Sequence, residues 1–304
     1  TGQEGRGGTL AFVLGQLVGV VLLLLAATTA VLVGRDRLAE TRRAFRERFA
    51  SIAPYVGLLG IVLLANKIAR DIGPDVSWLV GIRITGWLER VDGLLLWPLF
   101  PEDTPQVVVW IQSMATPELT AYFSFVYVYG YAFLLAFPLV AYFALPRPEP
   151  LRRTIVAYGT NYLVGVLCYV VFIAYGPRNL LAERAEGLLF SQYTQYQFVT
   201  DAVNHETNVF PSLHTSMAVT VALLAWTTRD EYPLWVPIAA ALAVSVVIST
   251  MYLGIHWATD AVFGIVLAWF SVRVGVRFEE TPPSIEGAKR RLSAVSDAIP
   301  GRTR

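Results

Sequence analysis

Two short stretches hold most of the side chains that could do chemistry. They are Phe210-Pro211-Ser212-Leu213-His214 and Ser249-Thr250-Met251-Tyr252-Leu253-Gly254-Ile255-His256-Trp257-Ala258-Thr259-Asp260. All 3 histidines of the chain, His205, His214 and His256, fall in or just before them. His256 and Asp260 are four apart, so on a helix they lie on one face and touch. The carboxylate would accept from one ring nitrogen, fix the tautomer, and leave the other nitrogen as a nucleophile or base. Pro211 suits the first turn of a helix, which puts Ser212 and His214 in its opening turns. Histidines and a carboxylate near two helix N-termini suit an anion. Plainer readings exist: His256 with Asp260 as a structural pair at a helix end, and Ser212 with His214 as a cap beside an interfacial histidine. Two such sites on one face favour the chemical reading.

The elements that must position these residues are membrane spans. The chain has 304 residues, is 55% hydrophobic and has a mean hydropathy of +0.52. Only 15% is charged, against about 25% in an ordinary soluble domain. That composition belongs to a polytopic membrane protein. No electrostatic partner follows from the net charge of +1, and no nucleic acid is expected as a partner. Cys168 is the only cysteine, which excludes an internal disulfide and a thiolate metal cluster. It lies in an apolar run and reads as packing.

In chain order, residues 1–8 read as a polar tail and Leu10 to Val33 as a first span. The small residues Ala26 to Ala30 allow a signal peptide, but the run is too long and its positive charge follows it. Gly34 to Ser51 carries Arg35, Arg37, Arg42, Arg43, Arg46 and Arg48, which makes this loop cytoplasmic. Pro54 to Arg70 reads as a second, shorter span. Ile72 to Pro117 mixes Trp78, Trp87, Trp97 and Trp110 with Arg83, Glu89, Arg90 and Asp92, a composition for helices lying in the interface. Glu118 to Leu145 is a third span, Thr154 to Tyr175 a fourth, Phe210 to Thr227 a fifth, Leu234 to Leu253 a sixth and Trp257 to Val276 a seventh. The loop Gly176 to Val209 is polar, with a short helix expected at Leu180–Phe190.

Seven spans place the termini on opposite sides. The Arg-rich 34–51 and 146–153 loops and the tail then fall inside, and the N-terminus and the histidines outside. The expected organisation is a tail, first span and Arg-rich loop over 1–51, a membrane catalytic domain over 52–276 with an interfacial segment at 71–117, and a cytoplasmic tail over 277–304. The expected location is the cell membrane, crossed several times.

The pattern resembles the type 2 phosphatidic acid phosphatase superfamily, whose members carry three blocks: Lys-x6-Arg-Pro, Pro-Ser-Gly-His and Ser-Arg-x5-His-x3-Asp. Pro211-Ser212-Leu213-His214 resembles the second, with Leu for Gly. Ser249-Thr250, then His256 and Asp260 at the block's spacing, resembles the third, with Thr for Arg. In the first block Arg178 matches the Arg, while Val171 stands for Lys and Asn179 for Pro. These departures are similar to the inositol phosphorylceramide synthase branch, which transfers lipid phospho-headgroups. The resemblance covers roughly residues 150 to 275. It implies an all-α bundle of seven spans with a six-span core, acting on a membrane lipid phosphate. It further implies His256 as the nucleophile forming a phosphohistidine, Asp260 as its orienter and His214 as acid and base. Ser212, Arg178 and Ser249 would hold phosphate oxygens. The scheme needs no metal or other cofactor.

Because Lys and one Arg of the pattern are missing, Lys67 and Arg70 are candidates to supply charge. Snorkelling to the interface, or pairing of Arg70 with Asp71, is their plainer role. His205 and Asn179 could touch a headgroup, although His205 also reads as a solvated loop residue. Tyr193, Tyr196 and Phe198 read as interfacial packing. Two other classes stay open. A zinc-dependent intramembrane hydrolase would need three or four ligands, and here the partner of His256 is a carboxylate. A lipid transporter without catalysis would leave both blocks unexplained.

Overall fold

In a bilayer every backbone N–H and C=O must be satisfied inside its own segment, so apolar runs of this length become helices. The computed structural model describes residues 2–98, 106–181, 183–192 and 209–280, with the backbone alone for 2–10, 69–77, 79–80, 192 and 279–280. His205, Tyr193, Tyr196, Phe198 and the 281–304 tail lie outside the described residues, and the side chain of Arg70 is not described.

Among the described residues, six helices are long and apolar enough to cross a membrane: Ala11–Leu32, Phe45–Ile68, Pro117–Phe143, Glu149–Val171, Trp235–Tyr252 and Ala258–Phe278. The protein is therefore an all-α, multi-pass membrane bundle. The remaining expected span, Leu213–Thr227, is helical with 15 residues. At 1.5 Å per residue it is about 22 Å long, short of a hydrocarbon core of about 30 Å.

The helices are α1 (Gly2–Leu32), α2 (Arg35–Arg43), α3 (Phe45–Val80), α4 (Thr85–Leu95), α5 (Val107–Gln112), α6 (Pro117–Phe125), α7 (Tyr131–Phe143), α8 (Glu149–Val171), α9 (Pro177–Leu180), α10 (Leu188–Gln192), α11 (Leu213–Thr227), α12 (Trp235–Tyr252) and α13 (Ala258–Glu280). A π-helical turn, Val126–Gly130, joins α6 to α7 without a break. The short α11 sits in the middle, against α7, α8, α12 and α13, and α8 packs on α3 and α13. The span of α1 is 6% buried and that of α3 11%, against 39–50% for the other four long spans. These two are outer helices, so the first span is an addition to a tighter core. That core is aromatic and aliphatic. Trp235 is fully buried with its ring 4.4 Å from Phe137 and 6.0 Å from Phe133, and Met217, Val221 and Leu224 of α11 pack in the same cluster.

Three local expectations change. The 1–8 segment is helical from Gly2, not a loose tail. The second span starts at Phe45 instead of Pro54 and ends at Ile68, with Lys67 at that end, while its helix continues to Val80. The single helix expected at Leu180–Phe190 is two short ones, α9 and α10. The interfacial segment contains the amphipathic α4, which buries Leu88 and Asp92. It is tied to the end of α8 by a two-residue parallel bridge, Ile82 with Phe172 and Arg83 with Ile173.

Candidate active site

The second motif opens α11. Pro211 precedes this helix instead of sitting in its first turn, and the Phe210–Pro211 peptide is cis. Ser212 is the N-cap. Its hydroxyl accepts from the Thr215 N–H at 3.4 Å and donates to the Thr215 hydroxyl at 3.1 Å, satisfying a helix donor that would otherwise be orphaned. His214 follows in the first turn, half-buried between two rings: Tyr127 stacks on it with centroids 4.4 Å apart, and Tyr131 tilts against it at 4.4 Å. Tyr127 belongs to the π-helical turn. Such turns insert an extra residue into a helix and recur at functional sites.

The third motif ends α12 and opens α13. His256 lies in the connecting turn, not on the helix with Asp260 as spacing alone predicts. Its N–H donates to the Thr250 carbonyl at 3.0 Å. Gly254 makes this turn possible, with φ +73, and a Cβ there would meet the Glu186 carbonyl oxygen at 2.4 Å. The turn is held from outside as well. Arg178 N–H donates to the Gly254 carbonyl at 3.1 Å. Gln112 donates to the carbonyls of Glu186 and Tyr252 at 2.8 and 2.9 Å, and accepts from the Glu186 N–H at 2.9 Å.

Asp260 is fully buried at the third position of α13. Its Oδ2 accepts the Trp257 N–H at 3.0 Å, which is the reciprocal arm of a capping box. The same oxygen is 3.5 Å from His256 Nδ1. That is an ion-pair distance but too long for a hydrogen bond, and both His256 Nδ1 and Asp260 Oδ1 are buried without a hydrogen-bond partner. Burial pushes the His256 imidazole down to about 3, with a backbone contact to Val209 opposing and the Arg178 charge adding to the drop. His256 is therefore neutral near pH 7, the state a nucleophile or base requires.

The two motifs meet through the backbone. Ser212 N–H donates to the Asp260 carbonyl at 3.2 Å. The helices come this close because residue 264 has no side chain: a Cβ on Gly264 would lie 2.6 Å from the Ser212 carbonyl oxygen. Tyr127, which stacks on His214, also packs in one cluster with Leu253 and Ile255 of the His256 turn.

The other expected residues are spread differently. The Arg178 guanidinium lies over the Phe190 ring at 4.3 Å, and its charge reaches His256. Asn179 is exposed one residue further on. Ser249 is fully buried, and its hydroxyl donates back to the Val246 carbonyl at 2.7 Å, as Thr250 does to Val247 at 2.7 Å; such back-bonding occupies the donor inside the helix. Lys67 is exposed on α3, beside the buried Asn66. Among the described residues, no three His, Cys, Asp or Glu side chains converge as metal ligands.

One residue of the site was missed from sequence. Asp92 of α4 is fully buried, and its Oδ1 accepts from the Thr259 N–H at 3.1 Å while Oδ2 accepts from the Val107 N–H at 3.3 Å. A carboxylate on the first N–H groups of α13 complements the helix dipole. Burial raises its pKa, opposed by the hydrogen bonds from Thr259, Ala258 and Val107. The available signal was an acid on the apolar stripe of an otherwise amphipathic segment.

Residues 104–274 match the model of a known family, described as the PAP2 superfamily, and this region takes in both motifs, α9 and all of α6 to α12. No curated protein and no solved structure matches the chain significantly. Because the match extends over more than half of the sequence and includes both histidine motifs, the chain belongs to the PAP2 superfamily, whose members are typically phosphatases or phosphotransferases.

Proposed function

We propose that this protein transfers a phosphoryl or phospho-headgroup on a lipid phosphate through a phosphohistidine at His256, on the extracytoplasmic face. The observation that carries it is the buried His256 with its Nδ1 3.5 Å from the Asp260 carboxylate, where the Asp260 carbonyl in turn accepts the N–H of Ser212 at the helix start that bears His214. A hydrogen bond of this kind is often long without substrate and tightens when substrate binds.

In this reading the second ring nitrogen of His256 attacks phosphorus. The P–O bond to the leaving group breaks, and protonated His214 gives its proton to the departing oxygen. The acceptor hydroxyl then attacks the same phosphorus while His214 takes up its proton. The P–N bond breaks and returns neutral His256. Asp260 holds the ring and balances its positive charge while the P–N bond lasts. Arg178 and Ser212 would donate to the phosphate oxygens, and the helix start at Ser212 would add its dipole. Ser249 would contribute through its hydroxyl only by leaving its carbonyl partner. Phosphoryl transfer depends mainly on such positioning and charge.

The test is turnover of purified protein in lipid. His256→Ala and His214→Ala should each remove activity, at least the 10²–10⁴-fold ascribed to acid–base help alone (order of magnitude), while a chelator leaves it intact. Full activity in His256→Ala rejects the reading. Loss to chelator with recovery on zinc addition moves the assignment to a metal hydrolase.

A further inference from the structure

At the far end of the bundle from the histidines, two cavities join into the shape of a lipid. The first, about 200 Å³, is polar and is lined by Tyr55, Glu149, Arg152, Arg153, Gly275 and Phe278, with Val156 at its edge. The second, about 230 Å³, is almost wholly apolar and continues between α3, α8 and α13 along Leu58, Leu59, Val62, Ile155 and Leu163. Tyr55, Val156 and Phe278 line both, so the polar chamber opens into the apolar groove.

The polar chamber is built for an anion. Arg152 is held in place by donation from Nη2 to the Ser51 carbonyl at 2.9 Å and by its guanidinium over the Tyr55 ring at 5.3 Å. Its Nε is buried with no acceptor, a donor that a phosphate oxygen would satisfy. Among the described side chains, the guanidinium groups of Arg152 and Arg153 and the carboxylate of Glu149 are the charged groups that line the chamber. The last span runs from Ala258 to Phe278. At 1.5 Å per residue this sets Gly275 and Phe278 of the chamber roughly 25 Å from Asp260, toward the opposite leaflet.

We propose that this paired cavity is a second lipid site: it binds one anionic phospholipid, phosphate beside Arg152 and chain in the groove between α3, α8 and α13, separate from the catalytic site. Basic pockets between spans that open on an apolar groove suit such headgroups, and the outer α3, only 11% buried over its span, would gain a permanent partner against α8.

The experiment uses the full-length protein in detergent, with melting temperature and native mass spectrometry as readouts. The probes are phosphatidylglycerol, phosphatidylcholine and inorganic phosphate. In the wild type, phosphatidylglycerol should raise the melting temperature by several degrees and remain bound at one copy, and the other two should do neither. Arg152→Gln should lose the response. Gly159→Leu is the second variant: its Cβ would meet only Leu59, at 4.0 Å, so it fills the groove and favours the helix. It should fold and also lose the response. His256→Gln should keep it. Equal stabilisation by phosphatidylcholine or by phosphate alone, an unchanged response in Gly159→Leu, or loss of the response in His256→Gln would overturn the proposal.

Discussion

The Asp92 carboxylate accepts a hydrogen bond from the Thr259 backbone N–H at 3.1 Å, across 167 residues of sequence. It fastens α4 to the start of α13, one residue before Asp260. Asp92→Ala should therefore lower stability by about 1–2 kcal/mol, the cost of a lost helix cap, and reduce kcat more than it raises KM. Asp92→Asn keeps an acceptor and should restore most of both. Thermal melting alongside steady-state kinetics checks this; an Ala variant with unchanged kcat would limit Asp92 to stability.

The buried imidazole predicts an acid response with a definite sign. The pKa of His256 is about 3 in the fold against 6.5 when unperturbed. Between those values the unfolded chain binds a proton that the folded one does not, so stability falls as pH drops below 6.5. At about pH 4 the loss from this residue is on the order of 3 kcal/mol. His256→Gln should melt with a flatter dependence over this window, and identical slopes would mean that the imidazole is more solvated than the fold implies.

The rings around His214 predict a kinetic effect without unfolding. Tyr127→Leu removes a stacked ring worth about 0.5–1.5 kcal/mol beyond its area, frees the imidazole, and should reduce kcat about tenfold or more. Tyr127→Phe keeps the stack and should stay within a few fold of wild type. Equal losses in both variants would assign the role to the phenol hydroxyl instead.

The acceptor is predicted to be an alcohol rather than water. Val171 and Thr250 stand where the family pattern has cations, and a phosphodiester carries one negative charge where a monoester carries two. A less cationic pocket suits the diester. Offered phosphatidic acid in one assay and a phosphodiester lipid with an alcohol in another, the protein should exchange headgroups faster than it releases phosphate. Rapid phosphate release with no exchange would make it a monoester phosphatase with the same histidines.

Charge along the chain predicts orientation. On a Cys168→Ser background, a single cysteine at Glu186 should react with an impermeant reagent in intact cells and one at Arg43 should not. The reverse pattern would turn the site to the cytoplasm.

What could be read from sequence follows the physics of each signal. Apolar runs that span a bilayer are long and unmistakable, so the helices at 11–32, 117–143, 149–171, 235–252 and 258–278 stand close to where hydropathy puts them. Helix ends were less legible. The second span was expected from Pro54 to Arg70, yet α3 begins at Phe45 and its backbone stays helical to Val80. The histidines were legible as a motif, and their arrangement was not: His256 sits in a turn shaped by Gly254 and Gln112. Asp92 left only a faint signal, an acid on an apolar stripe, because its partners are the backbone N–H groups of Thr259 and Val107, and backbone groups leave no trace in a sequence.

The π-helical turn at Val126–Gly130 also sets an angular phase. One extra residue turns everything after it by about 100° relative to a continuous α-helix. Beyond it Phe133, Leu134, Phe137 and Ala141 point into the bundle, each 5% exposed or less. Deleting one residue among 126–130 would let the helix close into a regular spiral, and would rotate this stripe toward lipid while carrying Tyr131 away from His214. The span would remain as apolar and as long as before, so hydropathy would report no change while the register between its two halves was lost.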